Sequence, residues 1–437
     1  MGIAEVDVNR SIWSLDAEPY ERSPALAGSV TADVAIVGGG LTGMSAAWHL
    51  ARRCPGRRIV LLEARAIGNG ASGRNGGQVL NWLNGVAHDT PDEARRDFAF
   101  TQAGVRLIED IARAHAAPGT FTRNGCLELC TDARRAEAAH AATERLASYG
   151  VPVRWLGRDE VRVPGVHGAT FDPTAGRVDS LALLRAWKPA LAAQGVAIHE
   201  STHVRRVEDG SSLRVVTDAG EVRAAALVLA TNAYTPSLGF FRNRILPLHS
   251  HALATPVLDD ATWSALGIGA FDGFSDDLDR IAYGCRTGRG RLVFGGGSNA
   301  AYAYRYGGAP VFAASPGATA RSFAALRASM ARYFPPLASL DPAACWTGLL
   351  DLTFDRAPSI GTTGSRGNVY YALGYSGHGL ALGMQAGRVI ADLYAGDHDA
   401  WRGLPFFQRR MPLIPPEPFR WIGYQAYTRA TGRSPRR

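Results

Sequence analysis

The sequence has 437 residues, of which 46% are hydrophobic and 20% are charged. These values exclude a disordered chain and predict two or three folding units. The net charge of +8 is compatible with nucleic-acid binding. The sequence has no known nucleic-acid recognition motif and no basic helix, however, so we expect no nucleic-acid partner. Five cysteines are too few for a disulfide scaffold, and we expect free thiols, no metal site and a reducing, cytoplasmic location. The sequence also predicts neither a secretory signal nor a transmembrane segment, because it lacks the apolar runs that both require.

The N-terminal third contains a β-turn-α-β pattern. Residues 1–30 are polar with scattered aromatic side chains, and we interpret them as an arm that lies on a domain. Apolar runs of strand length follow at residues 33–37 and 58–63, and a segment of helical character at 41–53 separates them.

The elements that follow change in type near residue 236. Before it, the pattern predicts helices at 91–115, 133–148 and 180–194, strands at 125–131, 196–199 and 225–231, and a hairpin at 213–222. Beyond it, short strands at 245–255, 280–286 and 291–296 are typical of an antiparallel sheet. A helix at 319–333, strands at 345–350 and 369–372 and a helix at 379–394 complete the pattern.

This order predicts an α/β fold, α+β overall, in which a Rossmann-like cofactor domain carries an inserted, mainly antiparallel β-sheet substrate domain. We assign residues 31–90, 150–235 and 340–400 to the discontinuous cofactor domain. Residues 91–149 and 236–339 form the predicted substrate domain, and residues 401–437 form a basic, aromatic C-terminal tail.

A glycine motif between the first strand and the first long helix predicts dinucleotide binding. Gly38 permits a tight turn, Gly40 lets the backbone approach a pyrophosphate, and Gly43 permits close packing of helix and strand. Glu63 ends the next strand, where its carboxylate can accept from ribose hydroxyls. An acid at this position favours FAD or NAD over NADP. The glycine-rich loop at residues 71–78 favours FAD, since such a loop can line a pyrophosphate and a flavin ring, although a surface loop is the alternative.

Several motifs along the chain resemble the D-amino acid oxidase superfamily of flavoproteins. They are VGGGLTGMSAA (37–47), LEA (62–64), GASGRNGGQ (70–78), ATNAY (230–234), LVFGG (292–296), DRAPSIG (355–361) and GYSGHGL (374–380). The most similar branch resembles gamma-glutamylputrescine oxidase and its relatives, near glycine oxidase and sarcosine oxidase. The resemblance covers residues 11–396.

The resemblance implies FAD as the cofactor and assigns residues to it. These are Gly38, Gly40, Leu41, Thr42, Gly43, Glu63, Ala64, Arg65, Ser72, Arg74, Asn75, Gly76, Gly77, Gln78, Val204, Thr231, Asn232, Gly374, Tyr375, Ser376, Gly377, His378, Gly379 and Leu380. The turn at 374–380 would lie at the pyrimidine end of the flavin, where a helix N-terminus stabilises the negative charge of the reduced ring. His378 would add a donor there or, alternatively, cap the helix.

The resemblance further implies oxidation of a C–N bond in a small amine or amino acid, by hydride transfer to flavin N5 and hydrolysis of the resulting imine. The predicted catalytic and substrate residues are His249, His251, Tyr283, Arg286, Trp346 and His378. Arg286 would clamp a carboxylate, and Tyr283 and Trp346 would form an aromatic wall. The alternatives are a surface ion pair for the arginine and a place in the sheet core for the aromatic residues.

The sequence does not identify the electron acceptor. Members similar to sarcosine oxidase use a lysine above the flavin to activate dioxygen. The single lysine here, Lys188, is expected on the surface of the cofactor domain, and residues 291–297 contain none. We therefore rank an oxidase that uses O2 and releases H2O2 first, a dehydrogenase that passes electrons to a quinone or carrier protein second, and a noncatalytic flavoprotein subunit third.

The positive charge is concentrated at one end of the sequence. Residues 401–437 contain eight arginines and one acid, Glu417, and so carry most of the net charge of +8. The ordinary interpretation is a segment that wraps over the cofactor domain. The alternative is docking to a membrane surface or a partner protein.

Overall fold

A computed structural model of the chain describes residues 10–83, 85–86, 88–278, 281–296 and 316–430. The strands, in chain order, are β1 (Gly28–Val37), β2 (Ile59–Leu62), β3 (Gln78–Val79), β4 (Phe121–Thr122), β5 (Cys126–Leu129), β6 (Arg154–Gly157), β7 (Gly168–Asp172), β8 (Gly176–Val178), β9 (Ala197–His199), β10 (Val204–Glu208), β11 (Leu213–Thr217), β12 (Gly220–Leu229), β13 (Leu246–Ala254), β14 (Gly273–Asp276), β15 (Ala282–Arg286), β16 (Leu292–Gly296), β17 (Ala344–Leu352), β18 (Ser359–Thr363) and β19 (Val369–Leu373). The helices are α1 (Ile12–Leu15), α2 (Leu41–Arg53), α3 (Pro91–His115), α4 (Ala133–Ser148), α5 (Ser180–Ala193), α6 (Asp260–Ala265), α7 (Pro316–Tyr333), α8 (Gly379–Tyr394) and α9 (Phe419–Ala430). Short 3-10 turns cover Ala71–Gly73, Asn232–Leu238, Pro335–Leu337 and Asp399–Trp401.

The first sheet has the Rossmann-like arrangement that the sequence predicts. Its strands run in the order β10-β11-β12-β1-β2-β9, with β19 beside β12 and β18 beside β19. The pairs β1–β2, β1–β12, β2–β9 and β12–β19 are parallel. All four side chains of β2 are buried, because protein covers both faces of this sheet. Helices α2, α3, α5 and α8 contribute side chains to the core on one face.

Two predicted elements of this sheet are continuous, because the second strand of the hairpin runs on into the next predicted strand. The hairpin expected at 213–222 and the separate strand expected at 225–231 share the ten-residue strand β12. The first half of β12 pairs with β11, and its second half pairs with β19. The interruption expected at residues 223–224 does not occur, because both halves of β12 find a neighbouring strand.

Helix α3 joins the core of the first sheet by packing against α8 and α5, although the predicted division assigned it to the substrate domain. Thr90 and Glu93 form a capping box at its start, which supplies partners for two backbone amides that the helix leaves free. Phe100, Val105 and Ile108 then join the core of the first sheet. Their spacing places an apolar stripe toward α8.

The second sheet follows the order β17-β13-β16-β15-β14-β5-β7-β6, and its pairs are antiparallel apart from β5–β14. It includes β6, β7 and β17, which the predicted division placed in the cofactor domain. Strand β7 pairs with β5, and β17 pairs with β13 over nine residue positions. These long-range pairings have no local signature in the sequence. Strands β3, β8 and β4 form a small third sheet. In sequence, each of them lies between a strand of the first sheet and a strand of the second.

The two faces of the second sheet have different neighbours. On one face, the helix-side face, Leu127, Phe274 and Phe294 pack in a core that includes Phe323 of α7. On the other, the loop-side face, strand residues such as Trp346 pack with the N-terminal arm and face the glycine-rich loop at 71–78. Since side chains alternate along a strand, this division decides which residues can reach a ligand beside that loop.

Candidate functional site

The turn between β1 and α2 is built on very close backbone contacts. Gly38 has φ of 111°, a conformation that favours glycine, and a Cβ on it would collide with the carbonyl of Ala230. A Cβ on Gly43 would collide with the carbonyl of Gly38, and one on Gly40 would lie 2.7 Å from Ser72 Oγ. The three glycines therefore let the turn approach both the end of β12 and the glycine-rich loop.

Glu63 organises the strand end beside this turn. Its carboxylate accepts hydrogen bonds from Gly39 N at 2.8 Å and from Arg65 N at 3.0 Å. Burial raises the pKa of Glu63, although these two donors oppose the shift. The backbone of Thr202 donates to the Glu63 carbonyl at 2.9 Å, which brings the segment before Val204 to the same place. These contacts are compatible with the predicted adenosine end of a dinucleotide site.

The glycine-rich loop is held from its interior by Asn75. Asn75 Nδ2 donates to Ser72 O at 2.7 Å and to Ser180 Oγ at 2.8 Å, while its Oδ1 accepts from Gly77 N at 2.9 Å. Trp13 of the N-terminal arm donates from Nε1 to Asn75 O at 2.9 Å. Leu41 N at the start of α2 donates to Ser72 Oγ at 3.0 Å, so the loop and the β1–α2 turn form one structure.

Arg74 connects the same loop to the second sheet. Its guanidinium donates to Asn69 O and to Thr347 O, both at 3.0 Å. Trp346 Nε1 donates to Arg74 O at 2.9 Å. Trp346 is fully buried, so it positions the loop and belongs to the sheet core, in agreement with the structural alternative for this residue.

The turn before α8 is fixed by a buried carboxylate that sequence reasoning missed. Asp351 Oδ2 accepts from Gly374 N at 2.6 Å, and burial raises the pKa of Asp351 to about 7. Gly374 has φ of 77°, and a Cβ there would lie 2.6 Å from Thr353 Cγ2. An isolated acid near the end of an apolar strand was the available signal. Its partner, however, lies more than twenty residues further along the chain.

The same turn reaches the start of α2 and leaves polar groups available. Tyr375 OH and Thr42 Oγ1 form a hydrogen bond at 2.8 Å. His378 occupies the N-cap position of α8 but makes no capping hydrogen bond with its side chain, so the capping alternative is wrong. Its Nδ1 is buried without a hydrogen-bond partner among the described residues. Burial lowers the pKa of His378, and the charge of Arg356 adds to this shift while the backbone of Ser376 opposes it, so that a neutral ring is favoured. A Cβ on Gly377 would meet nothing within 4 Å.

Tyr283 is the predicted substrate residue that lies beside the glycine-rich loop. A Cβ on Gly76 would lie 2.5 Å from Tyr283 Cε2, so the tyrosine ring contacts this part of the loop. Its hydroxyl is 3.3 Å from Ser250 Oγ, and the residue is half-buried. A ring at this place forms one wall of a site next to the loop.

A carboxylate on the same sheet face, Glu128, was not predicted. Tyr283 pairs with Ser275 of β14, and Ser275 pairs with Glu128 of β5, which puts all three side chains on the loop-side face. Glu128 is accessible to solvent yet surrounded by protein, and this partial desolvation, with the nearby charge of Asp277, raises its pKa. A lone acid between the buried residues of β5 was the sequence signal.

Three other predicted substrate residues lie on the helix-side face. Arg286 stacks on Trp263, with its guanidinium carbon 4.9 Å from the ring centroid, and is 3.4 Å from Asp260 of α6. It therefore follows the alternative of a surface ion pair. His251 is fully buried against Phe323 of α7, with ring centroids 5.3 Å apart. His249, two residues earlier on β13, lies on the same face. Residue type alone suggested these three side chains, but the alternation along β13 and β15 turns them away from the glycine-rich loop.

Lys188 does not lie on the open surface, contrary to the prediction. Its side chain is 15% exposed, and its Nζ is 3.0 Å from an oxygen of the fully buried Glu200. It also donates to Glu21 O at 2.8 Å and lies 4.4 Å from the ring centroid of Tyr20. The lysine therefore fastens the N-terminal arm. Residues 297–315, which follow the segment searched for an oxygen-activating lysine, lie outside the described residues.

The predicted cofactor residues thus occur in neighbouring segments. Hydrogen bonds join the β1–α2 turn to Glu63, to the glycine-rich loop and to the turn before α8. Asn232 Nδ2 donates to Leu349 O at 3.2 Å, which joins the segment after β12 to the second sheet. The side-chain-free cradle of Gly38 and Gly40 and the partnerless His378 Nδ1 fit a dinucleotide whose phosphates lie at α2 and whose ring reaches α8. The assignment of individual residues to the cofactor stays a prediction.

Comparison with known proteins identifies the family of this chain. The family model described as "FAD dependent oxidoreductase" (DAO) matches residues 33–393. Gamma-glutamylputrescine oxidoreductase of Escherichia coli (strain K12) is 30% identical over 418 residues, covering 91% of this chain and 92% of that protein. Glycine oxidase of Geobacillus kaustophilus is 24% identical, covering 86% of this chain and 96% of that protein.

The solved structures support the same fold. The crystal structure of glycine oxidase from Geobacillus kaustophilus matches with a TM-score of 0.72 and 22% identity. The match covers 87% of this chain and 99% of that one. Both the family resemblance and the fold class predicted from the sequence are therefore confirmed.

Proposed function

This chain belongs to the DAO family of FAD-dependent oxidoreductases, and we propose that its substrate is an amine with a second positive charge several bonds from the reacting carbon. The chain is an enzyme that acts on C–N bonds of amines or amino acids with FAD as cofactor. The proposal of a second positive charge on the substrate rests on the loop-side face of the second sheet. This face presents the aromatic ring of Tyr283 and the accessible carboxylate of Glu128.

The distribution of charge supports an amine over an α-amino acid. The strands of the second sheet contain two arginines, Arg154 and Arg286. Both lie on the helix-side face, because Arg154 pairs with Phe171 and Arg286 pairs with Leu292. The guanidinium of Arg74 donates to backbone carbonyls. A carboxylate next to the reacting carbon therefore finds no guanidinium clamp on these strands, whereas a cation finds Glu128.

The separation of the two groups suggests the length of the substrate. Glu128 lies two strands away from Tyr283, and neighbouring strands are about 4.8 Å apart, so the two positions are roughly 10 Å apart. A chain with four carbons between its nitrogen centres is about 6 Å long when extended, and the side chain of Glu128 covers the remaining distance. The name of the Escherichia coli relative, gamma-glutamylputrescine oxidoreductase, describes a substrate of this kind.

The reaction breaks the C–H bond next to the amine nitrogen, and the nitrogen lone pair forms the C=N bond of an imine. FAD, when bound, supplies the two-electron acceptor for the departing hydride. Water then converts the imine to an aldehyde and ammonia. The wall formed by Tyr283 disfavours a charged nitrogen at the reacting end, because desolvation lowers the pKa of an amine. Glu128 holds the remote cation and so fixes the distance of the reacting carbon from Gly76.

The reaction also requires an acceptor for the two electrons taken from the amine. We infer that O2 takes the two electrons, together with two protons, and leaves as H2O2, and the names of the glycine oxidase and sarcosine oxidase relatives support this acceptor. A dehydrogenase that uses a quinone or carrier protein is the second candidate, and the position of Lys188 favours it. The lysine pairs with Glu200 and contacts the N-terminal arm, so it does not serve a flavin at the second sheet.

The test is a panel of amines offered anaerobically to the holoenzyme and scored by bleaching of the flavin. Diamines and their gamma-glutamyl derivatives should bleach it faster than glycine, N-methyl amino acids or D-amino acids. Glu128→Gln should raise KM at least about tenfold for a diamine and leave KM for a monoamine of equal length unchanged. Equal effects on both would refute the role of Glu128. Admission of air afterwards separates the two acceptors, since slow reoxidation would contradict an oxidase.

A further inference from the structure

Helix α9 exposes an apolar stripe to solvent. Phe419 is 65% exposed and Ile422 is 52% exposed, and Ala426 is also exposed. Their spacing of three and four residues places them on one face of the helix. Arg420, on another face, is half-buried and donates to Arg242 O at 3.0 Å. The side of the helix that carries Arg420, Trp421 and Tyr424 therefore faces the protein, while the apolar stripe faces outward.

The segment before α9 has the same arrangement. Met411 and Ile414 are buried, and Ile414 N donates to Asn243 O at 2.8 Å. Leu413, between them, is 63% exposed, and Arg410 is exposed. The buried residues Met411 and Ile414 attach this segment to the protein. The exposed residues between and beside them, Leu413 and Arg410, are therefore held in fixed positions.

Basic residues surround this apolar surface. Residues 401–437 contain eight arginines and one acid. Arg402 and Arg409 are paired with Asp399 and Asp355, at 3.3 Å and 2.5 Å. Arg410 and the neighbouring Arg242 are exposed and pair with no carboxylate in the described ranges. Arg410 and Arg242 therefore leave positive charge beside the apolar stripe that no carboxylate of the described residues neutralises.

An outward apolar helix face with basic flanks is the pattern of helices that lie in a membrane interface. An anionic bilayer supplies both complements, acyl chains for the stripe and acidic headgroups for the arginines. A second copy of the chain would instead bring the same positive charge against it. No helix in the described ranges has the length and hydropathy to cross a membrane, so any such binding is at the surface.

We propose that α9 and the preceding segment, residues 410–430, bind the surface of an anionic lipid bilayer. Phe419, Ile422 and Leu413 enter the boundary between headgroups and acyl chains, and the arginines contact the headgroups. This proposal is independent of the substrate and of the electron acceptor, because none of these residues belongs to the candidate site.

The test is co-sedimentation of the holoenzyme with vesicles of phosphatidylcholine and phosphatidylglycerol in a ratio of about 3:1, compared with pure phosphatidylcholine. Partition into the anionic vesicles should be at least about tenfold stronger and should weaken at high salt. Phe419→Ser/Ile422→Ser should reduce it at least about tenfold, because two apolar side chains no longer enter the bilayer. The matched control is Val257→Ser, which alters an apolar residue that is 59% exposed outside the tail.

Three results of the vesicle assay would overturn the proposal. They are absence of wild-type binding to anionic vesicles, unchanged binding of the double variant, and equal loss in the Val257 control. A dimer in light scattering that the double variant abolishes would also overturn it and identify a second copy as the occupant. Retention of the flavin spectrum shows that the variants are folded. If the double variant does not retain it, the single variant Ile422→Ser provides the same comparison.

Discussion

Replacement of Lys188 by methionine tests how the N-terminal arm and the adenosine end of the site are connected. Glu200 is fully buried and receives hydrogen bonds from Ser23 N at 2.7 Å, Ile67 N at 2.6 Å and Lys188 Nζ at 3.0 Å. Ser23 belongs to the arm, and Ile67 follows the strand end that carries Glu63. The carboxylate is thus shared by the arm and the predicted ribose site. Lys188→Met removes its only close cation among the described ion pairs.

The size of the effect follows from the burial of the pair. Loss of one partner of a buried ion pair typically costs about 3–5 kcal/mol. Three donors to Glu200 remain in the variant, because Tyr20 OH also lies 2.9 Å from the carboxylate, so we expect the lower end, about 3 kcal/mol. At about 1.4 kcal/mol per tenfold change, opening of the arm should become roughly a hundredfold more frequent.

Hydrogen exchange measures this opening directly. The amides of Ser23 and Ile67 should exchange roughly a hundredfold faster in Lys188→Met, and the variant should bind FAD more weakly. Lys188→Arg keeps the charge and should exchange nearly as slowly as the wild type. Lys188→Met/Glu200→Gln should recover part of the loss, since no unpaired charge remains buried. Unchanged exchange of both amides in Lys188→Met would refute the idea that this ion pair fastens the arm.

The pH dependence of stability provides a second test of Glu200 and its hydrogen-bond donors. Burial alone would raise the pKa of Glu200, but the hydrogen bonds from Ser23, Ile67, Lys188 and Tyr20 outweigh it and hold the pKa below its ordinary value of 4.5. A depressed carboxyl pKa stabilises the folded state above the ordinary value, and this stability is lost as pH falls below it. Acid unfolding should therefore begin at a higher pH in Lys188→Met than in the wild type.

Other substitutions give separate expectations. Gly43→Ala should abolish FAD retention, as measured by the flavin spectrum after gel filtration, because its Cβ would collide with the backbone of Gly38; normal retention would contradict the close turn. Arg286→Ala should leave KM for the amine within about twofold, since the residue lies on the helix-side face beside Asp260; a large rise in KM would place it in the site after all. Asp351 has a pKa of about 7 against an ordinary 3.8, so its ionisation should cost the folded state about 4 kcal/mol as pH rises from 4 to 7. In Asp351→Asn, the free energy of unfolding in urea should no longer fall between pH 4 and pH 7. A variant whose free energy of unfolding follows the same pH profile as the wild type would exclude Asp351 as the source of the fall.

The local parts of the fold could be predicted from sequence. The turn at Gly38, the acid at Glu63 and the helix starting at Gly379 each depend on residues within a few positions of one another. Glycine spacing, an apolar run and a helix period therefore suffice to locate them. The pairing of β5 with β14 could not be predicted, because strands about 150 residues apart leave no pattern in either segment.

Side-chain direction could be predicted in part from the sequence. Tyr283 and Arg286 are three positions apart on one strand, and an odd spacing places them on opposite faces. They could not both line one site unless the strand carried a bulge. The burial of Lys188, by contrast, could not be inferred. Its contacts are with Glu200 and with the arm at Glu21, and only the folded arrangement brings these together.

The glycine-rich loop has one more consequence, for the order in which the protein matures. Its backbone is held by Trp13 from the N-terminal arm, by Ser180 at the start of α5 and by Trp346 from β17. These residues span more than three quarters of the chain. We therefore expect the loop to gain its final shape only after synthesis has passed residue 346. We expect the flavin to be loaded correspondingly late in biosynthesis, so that the holoenzyme spectrum would report on a nearly completed fold.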